Sequence, residues 1–318
     1  MAEKPAEAYR YELSALVMTY HPDMAGLRRT LRSLMLQEGV RMEIIVADDG
    51  SGENHGEEIR ALFAGQGYTD YKLVMNPVNR GTIRNLISGL EQAEGEYVKV
   101  LAPGDFLAGG GVLAGWLRDM REKGCEWSFA EAANYRREAG RDRIVSETAQ
   151  PVYVRPYLEG DRQKARWNYV VLDDAAPGCC MIGKTALELR YARELAEAGN
   201  RYAEDHMFRV MMFDGICGSY YPRVAVFYEY GTGISTGRNK KWAGIIFGEH
   251  LRMNRLMAER ENPDDFQRRM LKYTGRKTSA LAMVFVPGKL RRFLKLQLRP
   301  RTFGFDFAGT ESWREKCV

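Results

Sequence analysis

The first hundred residues alternate short apolar runs with segments in which apolar residues recur every three or four positions. The runs that predict β-strands lie at residues 13–18, 43–47, 71–75 and 97–101. The stripes that predict the intervening helices contain Met24, Leu27, Leu31 and Leu34, then Ile59, Leu62 and Phe63, then Ile83, Leu86, Ile87 and Leu90. Strands and helices that alternate with short connections favour an α/β fold with a mainly parallel, Rossmann-like sheet flanked by helices.

Polar residues follow three of the predicted strands. Thr19 and Tyr20 come after the first, Asp48 and Asp49 after the second, and Asp105 shortly after the fourth. Parallel sheets bind their ligands at the carboxyl ends of the strands. We therefore expect one crevice to collect these side chains.

After about residue 120 the periodicity weakens, and we expect short strands and loops around Trp127, Tyr135, Tyr153 and Trp167. A helix is predicted at about residues 184–198. No low-complexity linker separates the two halves. We expect one catalytic domain over residues 1–240, with a donor part at about 10–120 and an acceptor and catalytic part at about 121–240, followed by a helical basic extension at 241–318.

The composition of the 318 residues, 45% hydrophobic and 28% charged, is typical of a globular protein. No apolar run reaches the roughly 18 residues of a membrane span, and charges occupy the segment where a signal peptide would be apolar. Five cysteines without a Cys-x-x-Cys pair indicate reduced thiols. We expect a cytoplasmic protein, and the four scattered histidines favour oxygen ligands for any metal.

The net charge of +5 is unevenly distributed, because residues 266–305 contain eleven Lys or Arg and no Asp or Glu. If residues 289–299 are helical, the apolar side chains that share one face are Leu290, Phe293, Leu294 and Leu298. This pattern is typical of a helix that lies on the inner face of an anionic membrane. A helix that packs on the catalytic domain explains it equally well. We expect no nucleic-acid partner.

Three segments contain residues suited to chemistry, and each has a structural alternative. Adjacent carboxylates at Asp48-Asp49 repel each other, which favours a ligand, although a turn cap with a solvated neighbour is equally consistent. Gly81 and Arg84 at a helix start suit a phosphate, or an ordinary helix N-terminus. The Glu204-Asp205-His206 segment suits a general base, or a solvated helix cap.

The order of these segments resembles family 2 glycosyltransferases, inverting enzymes with the GT-A fold. The similar segments are Met18-Thr19-Tyr20, residues 44–51 ending in Asp-Asp-Gly-Ser, the Asn-x-Gly-x-x-x-Asn block at 79–85, residues 95–101, the acidic turn at Asp105, residues 202–205, and Tyr228 to Thr236. The last block is found in members that build bacterial surface polysaccharides. The resemblance implies a nucleoside-diphosphate sugar donor and a glycan or lipid-linked acceptor.

The resemblance also implies roles for individual residues. Asp205 would be the general base, with Glu204 and His206 positioning it. The residues implied on the donor side are Thr19, Tyr20, Asp48, Asp49, Asn79, Gly81, Arg84 and Ala102. The residues implied at the acceptor or in a lid over the diphosphate are His206, Gly233, Ile234, Ser235 and Thr236.

One departure from the family pattern concerns the metal. Most relatives carry Asp-x-Asp-Asp where this chain has Ala102-Pro103-Gly104-Asp105. Asp105 would still hold Mn²⁺ or Mg²⁺ together with substrate phosphates and water. A nucleotidyltransferase is disfavoured because no Gly-rich phosphate loop follows the first strand. A non-catalytic sugar-binding module with a degenerate metal site remains the other alternative.

Overall fold

A computed structural model describes residues 9–52, 55–138, 141–146, 149–231, 240–274, 285–298, 301–302 and 304–318. The strands among them, β1 to β9, are Tyr11–Thr19, Met42–Asp48, Tyr71–Met75, Gly95–Leu101, Phe106–Leu107, Trp127–Glu138, Arg141–Ser146, Met181–Lys184 and Ser219–Glu229. The helices, α1 to α12, are Met24–Met35, Gly56–Gly65, Thr82–Leu90, Val112–Lys123, Arg155–Leu158, Arg162–Val171, Thr185–Glu197, His206–Phe213, Lys240–Ala258, Asp265–Thr274, Lys289–Leu298 and Glu311–Lys316.

The strands form one sheet in the order β3-β2-β1-β4-β8-β6-β9-β5, and β7 pairs with β6. The first four strands pair in parallel, so the α/β fold with a mainly parallel N-terminal sheet is confirmed. Beyond β4 the sheet is mixed, because β8 is antiparallel to both β4 and β6 while β6 and β9 are parallel.

The first helix illustrates how the sequence produces these elements. Asp23 caps α1 by accepting a 2.9 Å hydrogen bond from the backbone N–H of Gly26. The stripe of Leu27, Leu31 and Leu34 is completely buried against the sheet. Each buried leucine contributes about 1.5–3 kcal/mol through the hydrophobic effect. The helix therefore fixes the position of the carboxyl end of β1, where the predicted crevice begins.

The prediction of short strands and loops after residue 120 was wrong at two places. Trp127 begins the twelve-residue strand β6, and Trp167 lies in α6. The strand lacks the expected alternation because almost every residue from Trp127 to Tyr135 is buried. Trp127 and Phe129 pack in one apolar cluster and Ala130 in another, so both faces of the strand lie in the interior, where small and aromatic residues replace an alternating pattern.

Helices α9 and α10 pack against α6 and α8 in the second half of the chain. Met253, Met257 and Met270 are fully buried in the same apolar cluster as Phe208 and Tyr169. No helix within the described ranges is long and apolar enough to cross a membrane. The boundary predicted at residue 240 therefore falls at the start of a helix that shares a core with the preceding residues.

Candidate active site

A cavity of about 1010 Å³ opens at the carboxyl ends of β1, β2 and β4. The sequence-predicted residues that line it are Thr19, Tyr20, Asp49, Asn79, Gly81, Ala102, Asp105, Glu204, Asp205 and His206. Gly233, Ile234, Ser235 and Thr236 lie outside the described residues. The topology thus brings together three predicted strand ends and the Glu204-Asp205 pair, which follows more than ninety residues later in the chain.

The two adjacent carboxylates at the end of β2 have different surroundings. Asp48 accepts hydrogen bonds from the Thr19 hydroxyl (2.8 Å) and from the backbone N–H and hydroxyl of Ser51 (2.8 and 2.7 Å). It does not line the cavity. These contacts make it the residue that holds the turn after β2. Asp49 lines the cavity and is buried, so it is not the solvated neighbour of the alternative explanation.

Asp49 fixes the loop before α3. Its two carboxylate oxygens accept hydrogen bonds of 2.8 Å from the backbone N–H groups of Arg80 and Gly81. Gly81 has a φ of 90°, and a Cβ at this position would overlap the Arg201 side chain. The glycine is therefore required for the close approach of two loops. Each carboxylate oxygen has a further lone pair that can face a ligand.

Two other residues of this block differ in their relation to the cavity. Arg84 is exposed on α3 and does not line the cavity, so no contact links it to the expected diphosphate position. Asn85 lines the cavity, is buried, and donates a 2.9 Å hydrogen bond to the backbone oxygen of Ala47. The second asparagine of the block thus ties α3 to β2 at the cavity wall.

Asp105 lies on the cavity wall beside β9. Its Oδ1 accepts a 3.0 Å hydrogen bond from the backbone N–H of Glu229, and burial raises its pKa to about 7. A Cβ at Gly104 would overlap the Glu229 carboxylate, so the glycine makes room for a second acidic group that also lines the cavity.

A divalent cation at this site would need oxygen ligands from the protein or the substrate. No group of three or more His, Cys, Asp or Glu side chains in the described part of the chain is arranged to hold a metal by itself. An Mg²⁺ or Mn²⁺ ion held by one carboxylate also takes ligands from substrate phosphates and water. Asp105 fits that arrangement, with the acidic Glu229 beside it.

Glu204 and Asp205 lie immediately before α8 and line the same cavity as Asp105. Burial, and secondarily the charge of Asp205, raises the pKa of Glu204 to about 8. A Cβ at Gly178 would come within 3.4 Å of the Asp205 Cβ, so the loop after Pro177 passes close over the acidic pair. This is a confined site in which the Glu204 carboxyl group keeps its proton to a higher pH than an exposed glutamate does.

His206 is the first residue of α8, and its buried Nδ1 has no hydrogen-bond partner among the described residues. Its ring meets that of His250 edge-on at 5.7 Å. Burial lowers the pKa of both imidazoles, to about 3 for His250. Arg209 lies beside them and pairs with Asp173, which also lines the cavity. The histidines therefore favour the neutral form next to a cationic residue.

Sequence reasoning missed three buried charged residues at this site. Glu131 and Glu188 line the cavity, and burial raises the pKa of Glu188 to about 8. Lys99 is fully buried and donates hydrogen bonds to the backbone oxygens of Cys179 and Met181. A lysine between two valines in an apolar strand was a detectable signal for Lys99. The glutamates gave no comparable signal, because an isolated glutamate is usually exposed.

Comparison with solved structures identifies similar folds. Residues 1–349 of TarS from S. aureus, in complex with UDP-GlcNAc, superpose with a TM-score of 0.54 at 14% identity, over 96% of this chain and 79% of that one. The mannosyltransferase PcManGT from Pyrobaculum calidifontis, in complex with GDP-Man and Mn²⁺, gives a TM-score of 0.52 at 13% identity, over 99% and 86%. At these identities the likeness shows the fold alone. No curated protein sequence matches the chain.

The sequence model of the family described as glycosyl transferase family 2 matches residues 14–188, which is more than half of the chain. This range contains the donor-side strands, the Asp48-Asp49 turn and Asp105. The match and the arrangement of the cavity lead to one assignment. The chain belongs to glycosyl transferase family 2.

Proposed function

We propose that this glycosyltransferase moves a sugar from a nucleoside diphosphate to a hydroxyl of a glycan or lipid-linked acceptor, with inversion at the anomeric carbon. The observation that supports this most strongly is the shared cavity, which Thr19, Asp49 and Asp105 line together with the Glu204-Asp205 pair. The structures described above, one with UDP-GlcNAc and one with GDP-Man bound, have the same fold and support a nucleotide-sugar donor.

The nucleotide is proposed to lie against the ends of β1 and β2. The remaining lone pairs of the Asp49 carboxylate accept a hydrogen bond from an N–H group of the base. The hydrogen bonds from the backbone N–H groups of Arg80 and Gly81 hold the carboxylate in place. Tyr20 is 52% exposed at the cavity edge, so its ring is available to contact the base or ribose. Asn79 and Thr19 complete this side.

Asp205 is proposed to remove the proton of the attacking hydroxyl, which must be in line with the departing diphosphate. The raised pKa of Glu204 favours its neutral form, so Glu204 does not compete as base and instead positions Asp205. Inversion requires attack from the face opposite the leaving group. Asp205 would therefore lie on the acceptor side of the sugar and Asp105 on the diphosphate side.

Asp105 is proposed to hold the divalent cation on the diphosphate side, with Glu229 adding negative charge nearby. When bound, the cation neutralises the charge that develops on the leaving nucleoside diphosphate. The role of Asp105 is to fix the position of that charge relative to Asp205. Turnover of the donor, rather than binding alone, separates this function from a non-catalytic binding module.

Helix α11 is the proposed contact with the inner face of a membrane, where a lipid-linked acceptor would be found. Its apolar side chains point outward, with Leu290 and Leu294 each 43% exposed and Leu298 74% exposed. Its basic side faces the protein, where Lys289 and Arg292 pair with Asp173 and Asp174. Contact with lipid would therefore depend more on apolar insertion than on these basic residues.

Turnover of a panel of nucleoside-diphosphate sugars tests the function. Release of the free nucleoside diphosphate, measured with and without Mn²⁺ and with thermal stabilisation as a binding readout, identifies the donor. We expect one nucleotide class to raise the melting temperature and to be hydrolysed slowly without acceptor. Stabilisation by a donor that is never turned over, in the presence of Mn²⁺ and a glycan mixture, would instead favour the non-catalytic module.

A further inference from the structure

Glu249, on α9, lies well beyond the matched family range, yet its side chain holds the loop that leads into the candidate active site. Its carboxylate is 1% exposed and accepts hydrogen bonds from three consecutive backbone N–H groups. The distances are 2.9 Å from Arg201, 3.0 and 3.1 Å from Tyr202, and 2.7 Å from Ala203. These three residues directly precede Glu204 and Asp205.

Such an arrangement is strong and specific. Hydrogen bonds to an ionised carboxylate are roughly twice as strong as those between neutral groups. Three successive N–H groups converge on one carboxylate only when the loop has a fixed shape. Arg252, one turn further along α9, lies 3.7 Å from the same carboxylate and also holds the side chain of Asn200. The helix therefore fixes the loop at several consecutive residues.

The same loop connects the base to the donor side. The backbone oxygen of Arg201 accepts a 3.0 Å hydrogen bond from Ile83, and its guanidinium donates to Asn79 at 2.9 Å. The backbone oxygen of Ala203 accepts a hydrogen bond from the backbone N–H of His206, the first residue of α8. Displacement of residues 201–203 would consequently move the acidic pair relative to the donor loop.

Helix α9 also contributes to the cavity wall. Trp242 and Ile246 line the cavity, and they lie seven and three residues before Glu249, which places all three on one face of the helix. Trp242 meets the ring of Tyr202 edge-on at 4.9 Å. The segment predicted as an extension is therefore part of the site.

We propose that Glu249 is a positioning residue for the transfer reaction, which holds residues 201–203 so that Asp205 faces the acceptor hydroxyl at the correct distance from the donor. The inference rests on the proposed role of Asp205. Glu249 itself does not contact substrate. Its effect must therefore pass through the base, and this distinguishes it from a residue that only stabilises the fold.

The experiment is a double-mutant cycle on turnover at saturating donor and acceptor. Glu249→Gln replaces one acceptor oxygen with an amide that opposes the backbone N–H groups. We expect kcat to fall about 10- to 100-fold, as for a misplaced catalytic group, with a smaller change in the Kd of the nucleoside diphosphate. Glu249→Asp, which keeps the charge on a shorter side chain, should give an intermediate loss. The matched control is Glu259→Gln, an exposed glutamate just after α9, which should match the parent.

In the Asp205→Asn background, Glu249→Gln should lower kcat by less than about twofold, because the group it positions is already absent. Equal fold-losses in both backgrounds would show that Glu249 supports the fold alone and overturn the inference. If Asp205→Asn is impaired while both Glu249 variants match the parent, only this inference fails. If Asp205→Asn itself retains full turnover, the proposed base is wrong and the positioning role is lost with it. Should Glu249→Gln not fold, Glu249→Asp carries the same cycle.

Discussion

The two halves of the cavity wall differ in how their carboxylates are satisfied. At the carboxyl end of β2, Asp49 on the cavity wall and Asp48 outside the cavity lining each accept hydrogen bonds from nearby backbone N–H groups, which hold the turns in place. Elsewhere on the wall, Glu188 and Glu204 are confined with fewer donors, and burial raises the pKa of each to about 8. The turns beside Asp48 and Asp49 are thus held rigidly by the protein itself. Glu188 and Glu204 are instead acidic groups whose protonation depends on their surroundings.

This difference indicates that the two groups of carboxylates have different roles. Carboxylates that hold a loop give a rigid surface for a large, invariant part of the substrate, such as a nucleotide. Acidic groups with raised pKa values are suited to proton transfer and to interaction with cations. Changes at Glu204 and Asp205 should therefore act mainly on turnover, and changes at Asp49 mainly on donor binding.

The largest expected effect is that of Asp205→Asn. The amide is nearly isosteric but cannot accept the proton, so turnover at saturating donor should fall about 10²- to 10⁴-fold. Calorimetry should give nearly the parental affinity for the nucleoside diphosphate. Turnover within a few-fold of the parent would remove Asp205 from the role of base.

Removal of the divalent cation should have the next largest effect. EDTA, or Asp105→Ala, should lower turnover roughly a hundredfold, since the metal contributes several kcal/mol of charge stabilisation in reactions of this type. Activity should return on addition of Mn²⁺ to the parent but not to the variant. Full activity in chelator would mean that arginine and lysine side chains stabilise the diphosphate instead.

Asp49→Ala should weaken donor binding more than acceptor binding. It removes charge-assisted hydrogen bonds worth about 1.5–3 kcal/mol, which corresponds to roughly a 10- to 100-fold increase in the Kd of the nucleoside diphosphate. The control is Glu57→Ala, on the exposed start of α2, for which the Kd should not change. An unchanged Kd for Asp49→Ala would leave this residue with a structural role in the turn only.

A smaller effect is expected at the surface of α11. Leu298→Ser should reduce co-sedimentation of the full chain with vesicles about tenfold or more, from the loss of roughly 1.5–3 kcal/mol of apolar burial. Val145→Ser, at another exposed apolar position, is the control. Anionic lipid should help only modestly, because Lys289 and Arg292 already pair with Asp173 and Asp174. Equal pelleting of parent and Leu298→Ser would contradict membrane contact through this face.

The final prediction concerns the stability of the fold against pH rather than turnover or binding. The folded-state pKa of Glu204 is raised from its ordinary value of 4.5 to about 8, so its contribution to stability is greatest below pH 4.5 and is lost as the pH rises through 8. The glutamine of Glu204→Gln cannot ionise. The unfolding free energy of this variant should therefore fall less than that of the parent between pH 4.5 and about pH 8. Chemical unfolding at pH 5 and pH 9 measures the difference. Parallel losses in both proteins would show that Glu204 titrates normally.

The sequence alone was sufficient for the donor half. Apolar runs located β1 to β4 and apolar stripes located the helices between them to within a few residues, because these strands are mostly buried and each of these helices buries one face. The carboxyl ends of parallel strands must meet at one edge of the sheet. The positions of Thr19, Asp49 and Asp105 around one cavity followed from that geometry.

Only the tertiary structure determined which residues after about position 120 meet at the cavity. Glu131, Glu188 and Glu249 reach the site or its catalytic loop from a central strand and two separate helices, and no local pattern distinguishes them from exposed glutamates. Their burial depends on β6 lying between β8 and β9 and on α9 packing against α8, contacts between segments far apart in the chain. Periodicity reports which face of an element is buried, whereas the identity of the groups that meet there is set by how distant elements pack.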